Sequence, residues 1–189
     1  MTTTTLSTKE TDLIQVLVFF AALAAFGSGL IHFKVIGDHA DLAVVAGGFA
    51  LMGAMQWAFA GRILTRPSPR LLGLGGLLHA GIAMLWIASR TIGIPFVDGA
   101  RQPAEVGVAD LAANILSVFV VGTALLGLAI YRQDFRVSVP TSIANRMKLG
   151  AAGFVVFVIV SAMFAPHTHS HSPIDLAEMT HDHESSAGS

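Results

Sequence analysis

Ser28-Gly29-Leu30-Ile31-His32-Phe33-Lys34-Val35-Ile36-Gly37-Asp38-His39-Ala40-Asp41 is where one apolar segment ends and the next begins within a few residues. Two long apolar segments joined by so short a polar link form a helical hairpin, because a chain in lipid must satisfy its backbone hydrogen bonds internally. The link therefore sits at a membrane surface, with His32 just inside the apolar layer. It carries two of the three histidines that precede the C-terminal tail.

The chain of 189 residues is 53% hydrophobic and only 12% charged, with a mean hydropathy of +0.69. A soluble domain is about one-quarter charged, so the composition predicts an integral membrane protein in a lipid bilayer. A net charge of −1 and dispersed Lys and Arg give no basic stripe, which sets nucleic-acid binding aside. The absence of cysteine excludes disulfides, thiolate metal sites and thiol catalysis, so a metal would have to use His, carboxylate or Met.

Five apolar runs, Leu13 to about Val35, Leu42–Leu64, Leu71–Ile92, Val106–Tyr131 and Leu149–Ala165, are each long enough for a hydrocarbon layer of about 30 Å at 1.5 Å per residue. The expected fold is all-α, a bundle of five transmembrane helices with the last the shortest. Residues 1–11 read as a polar N-terminal segment without a signal-peptide cleavage pattern, 12–165 as the membrane domain, and 166–189 as a disordered histidine-rich tail. With the N-terminus cytoplasmic, Lys9, Arg62, Arg66, Arg70, Arg132, Arg136, Arg146 and Lys148 fall inside and Lys34, Arg90 and Arg101 outside. That asymmetry predicts a cytoplasmic N-terminus and an extracytoplasmic C-terminus. The outer face then carries nine of the twelve acidic residues. Glycines at 47, 48 and 53 in helix two and at 73, 75 and 76 in helix three read as helix-packing faces.

His32, Asp38, His39 and Asp41 offer nitrogen and oxygen ligands suited to copper or zinc. On a continuous helix His32 and His39 would stand about 10 Å apart along the axis, but Gly37 permits a break that could fold His39 back. The alternative is that Asp38 or Asp41 caps helix two and the histidines are interfacial. In helix three, His79, Ala83, Trp86 and Arg90 share a face, as do Asp110, Asn114 and Ser117 in helix four. A guanidinium near the apolar layer calls for an acid, so Arg90 is expected to pair with Glu105 or Asp110. His79 lies deeper than His32 and no two spans carry histidines at matched depth, which disfavours a bis-histidine haem. In the tail, His167, His169 and His171 alternate, and His181 and His183 repeat the spacing beside Asp182 and Glu184. A flexible chain can wrap such imidazoles around one metal ion.

The pieces Ile31-His32, Asp38-His39, Ser89-Arg90-Thr91-Ile92-Gly93-Ile94-Pro95 and Glu105-Val106-Gly107-Val108-Ala109-Asp110 resemble those of a group of small bacterial integral membrane proteins without an established activity. Those proteins share a similar His-containing hairpin, a Ser-Arg-Thr-x-Gly-x-Pro loop start and a Glu-Val-Gly-x-x-Asp helix start. The resemblance spans about residues 28–115. It implies a multi-pass protein of the bacterial cytoplasmic membrane, with His32, His39, Arg90, Glu105 and Asp110 as a candidate site.

The leading expectation is a non-enzymatic membrane protein that binds copper or zinc on its extracytoplasmic face. The tail would be its first collector, and His32, Asp38, His39, Asp41, Glu105 and Asp110 a second site. Two alternatives stay open: an accessory subunit that docks on partner membrane subunits or on copies of itself, and a small channel or carrier that uses Asp110, Asn114 and His79 as a polar path. An independent enzyme is the poorer reading, because the chain has no phosphate-binding glycine loop with its lysine, no Gly-x-Ser-x-Gly elbow and no His-Glu-x-x-His helix.

Overall fold

A computed structural model describes residues 10–95, 97, 101–133 and 137–165; the tail histidines lie outside the described residues. The elements are β1 (Glu10–Asp12), α1 (Leu13–Val35), a 3-10 turn (Gly37–His39), α2 (Ala43–Thr65), α3 (Pro69–Thr91), α4 (Val108–Arg132), β2 (Ser138–Pro140) and α5 (Thr141–Met163). All five α-helices are long and apolar enough to cross a membrane, and together they make a multi-pass helical bundle. The α1–α2 and α3–α4 connections lie at one end of it, which we call the histidine end.

Local chemistry fixes several helix ends. The Asp12 carboxylate accepts the Ile14 N–H at 3.0 Å and starts α1. Ser68 accepts the Leu71 N–H at 3.2 Å and Pro69 occupies the first turn of α3, where its missing N–H costs nothing. Neither Asp38 nor Asp41 caps α2: Leu42 holds the N-cap position without a side-chain bond, and its carbonyl accepts from Val45 and Ala46 at 2.9 Å each. The last helix begins at Thr141, eight residues ahead of the apolar run that marked it in the sequence. At 23 residues it equals α1, α2 and α3 in length. Arg146 and Lys148 end the apolar run without ending the helix, because Arg146 is exposed and Lys148 lays its ammonium 5.8 Å from the Phe19 ring centroid.

At the end opposite the histidines, β1 and β2 pair antiparallel with Thr11 opposite Val139. The Thr11 and Thr141 hydroxyls meet at 3.1 Å and Leu13 N–H donates to Val137 O at 2.9 Å. Glu10 and Thr11, expected in a polar leader, thus tie the start of α1 to the start of α5. At the other end of α5, the Lys34 ammonium donates to the Ala162 carbonyl at 3.3 Å, a cation at a helix C-terminus, where the free carbonyls favour it.

α1 is the axis. Of its most apolar window 61% is buried in the bundle, against 39% for α4 and 22% for each other helix. α2, α4 and α5 pack on it, α3 packs on α4, and α2 and α3 touch only lightly despite their short connection. Lipid supplies no hydrophobic drive between helices, so close approach of small residues does the work. A Cβ on Gly75 would lie 2.1 Å from the Phe59 ring, and one on Gly29 2.6 Å from the Trp57 ring. Gly53 and Gly76 also mark close approaches, whereas Gly47 and Gly48 meet nothing within 4 Å. Those two were expected at a packing face and are not.

Gly75→Ala should therefore lower stability in detergent by about 1–3 kcal/mol, the cost of overpacking, while Gly47→Ala should match the native protein. Thermal or denaturant unfolding of the two variants side by side checks the difference.

Candidate functional site

Three helices meet at one hydroxyl, and a fourth joins through its neighbour. Ser28 Oγ on α1 donates to the Ala113 carbonyl of α4 at 3.2 Å, receives the Gln56 Nε2–H of α2 at 3.0 Å and lies 3.4 Å from Ser117 Oγ of α4. Ser117 Oγ is in turn 3.1 Å from His79 Nδ1 of α3. Ser28, Gln56, His79 and Ser117 are all completely buried. One proton order satisfies every link: His79 Nδ1–H to Ser117, Ser117 O–H to Ser28, Ser28 O–H to Ala113. It leaves His79 Nε2 as a lone-pair atom without a partner among the described residues, as is Gln56 Oε1.

Above this network, toward the histidine end, the light contact between α2 and α3 opens a chamber of about 580 Å³. Its walls are mostly aliphatic and aromatic, from Ile31 and Val35 on α1, Phe49 and Met52 on α2, and Ile82 and Leu85 on α3. The α3–α4 connection forms part of the lining through Ile94, Val97 and the stretch from Gln102 to Glu105. It is held down by Ala104 N–H, which donates to Ser89 O at 2.9 Å. Gly93 makes that turn in the left-handed region at φ +73°, where a Cβ would fall 2.2 Å from Arg101 O.

The polar side of the chamber comes from the two helix faces expected in the sequence. Arg90 forms an ion pair with Asp110, donates to Ser89 Oγ at 3.2 Å and stands 6.0 Å from the Trp86 ring centroid. The side chains of the pair are 15% and 22% exposed, so desolvation makes each partner depend on the other. From the Arg90–Asp110 pair, Trp86 lies four residues back along α3 and Asn114 four residues on along α4. Trp86 Nε1, Arg90 Nε and Asn114 Oδ1 are buried and have no hydrogen-bond partner among the described residues.

The expected metal residues separate into groups. His32, His39, Glu105 and Asp110 line the chamber; Asp38 and Asp41 are exposed and do not. His32 Nδ1–H donates to Ser28 O at 2.9 Å and His39 Nδ1–H to Val35 O at 3.0 Å, and both rings pack on Phe49, at centroid distances of 5.8 and 5.0 Å. Among the described residues no three His, Asp or Glu side chains gather around one point. Asn114 lines the chamber beside Asp110, while His79 lies in the network and outside the chamber lining. Gln56 was a minor candidate in the sequence and Ser28 was not one; the mid-span glutamine is the signal that could have found Ser28, since an amide in lipid needs a partner.

The fold is that of a multi-pass helical membrane protein with a chamber at one end. Comparison with protein-family models, with curated proteins and with solved structures finds no match to this chain.

Ser117→Ala should cost about 1 kcal/mol, above the average for a hydrogen bond between membrane helices, because it leaves both Ser28 and His79 short of a partner. Equilibrium unfolding in mixed micelles measures it. A double-mutant cycle of Arg90→Ala with Asp110→Ala should give coupling on the order of 1 kcal/mol, and the same cycle with Glu105→Ala appreciably less.

Proposed function

We propose that this is a non-enzymatic binding protein of the bacterial cytoplasmic membrane that holds a small molecule in the chamber between α1, α2, α3 and α4. The observation that carries this reading is a cavity of drug-ligand size, apolar in most of its lining, whose wall includes three residues that each hold a buried polar atom without a partner among the described residues. Such a combination is the usual form of a ligand site. The eight-to-three asymmetry of Lys and Arg supports an extracytoplasmic position for the histidine end. Cysteines introduced in this cysteine-free chain at Arg66 and at Gln102 test it: an impermeant thiol reagent should label position 102 in intact cells and spare position 66.

Gly48 lines the chamber and a Cβ there meets nothing, so Gly48→Trp should fill the site without breaking the fold. A lipid extract of the source membranes should raise the melting temperature of the delipidated wild type by several degrees and leave Gly48→Trp unmoved. Equal shifts in both proteins would refute the chamber as the site.

A second reading is copper or zinc binding by His32 and His39 together with the tail histidines. It is favoured by the donation of both Nδ1–H groups to backbone carbonyls, which leaves Nε2 as the lone-pair nitrogen, the arrangement common among metal-ligating histidines. Imidazole must be neutral to ligate, so metal content should fall as the medium is acidified. Elemental analysis of the full chain beside one ending at Pro166 divides the metal between tail and chamber. A shortened chain that retains none would confine the metal to the tail.

A further inference from the structure

The three unpartnered atoms prescribe a ligand. Trp86 Nε1–H and Arg90 Nε–H are donors one helical turn apart on α3, and Asn114 Oδ1 is an acceptor on α4. A head that satisfies them carries an acceptor oxygen for the two N–H groups and an O–H for the amide oxygen. Arg90 is already neutralised by Asp110, so an anionic head would meet no spare guanidinium charge and would lose its hydration, and a cationic head without an acceptor oxygen would leave the two N–H groups unmet. The rest of the lining has the character of a hydrocarbon slot. Val44 on α2 and Leu85 on α3 line the chamber and are 73% and 42% exposed, so the chamber is open along the side where α2 and α3 diverge.

We propose that the chamber takes a neutral amphiphile, an uncharged hydroxyl-bearing head on an apolar chain, admitted sideways from the lipid between α2 and α3. The proposal rests on the chamber being the binding site and adds the class of ligand and its route. The head meets Trp86, Arg90 and Asn114, and the chain lies along Phe49 and Met52 toward the opening.

The test uses Trp86 as its own reporter. The chain has two tryptophans, and Trp57→Phe leaves one in the chamber. Full-length Trp57→Phe in mixed micelles is titrated with 2-bromododecan-1-ol, whose bromine quenches indole on contact, and in parallel with 2-bromododecanoate at a pH where it is ionised. The neutral probe should quench saturably and bind at least tenfold tighter than the anion. Asn114→Leu should weaken it about fivefold, as expected for one lost hydrogen bond, and Gly48→Trp should abolish its protection of a cysteine placed at Met52 from thiol reagents. The reverse variant, Trp86→Phe, keeps only the surface indole of Trp57 and should quench without saturating. Saturable quenching that favours the anion, or equal affinity in Asn114→Leu, would overturn the assignment of ligand class and leave the chamber standing. Failure of both probes to saturate, with cysteine protection the same in Gly48→Trp, would overturn the proposal and the chamber reading together.

Discussion

A hydroxyl buried in lipid has few partners, and the Ser28 Oγ finds its own on α2 and α4 at once. That demand draws Gln56 and Ser117 to a single level of α1, and Ser117 in turn fixes His79 of α3. The helices around α1 are thereby set in angle and depth by hydrogen bonds and close glycine contacts, since apolar area alone does not discriminate between lipid and protein neighbours. The chamber follows from the same geometry. α2 is held to α1 and α3 to α4, so nothing draws α2 and α3 together at the histidine end.

The opposite end is closed by different means. There the Glu10–Asp12 and Ser138–Pro140 ribbon joins the starts of α1 and α5, while the Ser68 cap and Pro69 turn α2 sharply into α3. One end is therefore stapled and the other splayed, with the α3–α4 connection folded over the splay by Ala104 and Gly93. An asymmetric bundle of this kind leaves a chamber at the splayed end.

The five spans were legible because an apolar run of about 20 residues has one reading in lipid, and an acidic partner for Arg90, either Glu105 or Asp110, followed from the cost of an unpaired guanidinium near the apolar layer; the structure selects Asp110. The start of α5 was not legible, because Arg146 and Lys148 interrupt hydropathy while the backbone ladder continues through them. Asp38 and Asp41 looked like caps by residue type, yet Leu42 starts α2 without one. Ser117 showed as part of the helix-four stripe, but Ser28 was invisible for a simpler reason: a lone serine in an apolar run carries no periodic signal, and its role exists only once a second helix is beside it. The chamber was equally hidden, since Gly47 and Gly48 look like packing glycines until the separation of α2 from α3 is known.

The central claim is that the space between α2 and α3 is occupied by a ligand in the membrane. Native mass spectrometry of the protein released from membranes under mild conditions tests it most directly, beside Gly48→Trp prepared in the same way. The account predicts a bound small-molecule mass on the wild type that is lost in the filled variant. The same adduct on both proteins, at the same occupancy, would contradict it.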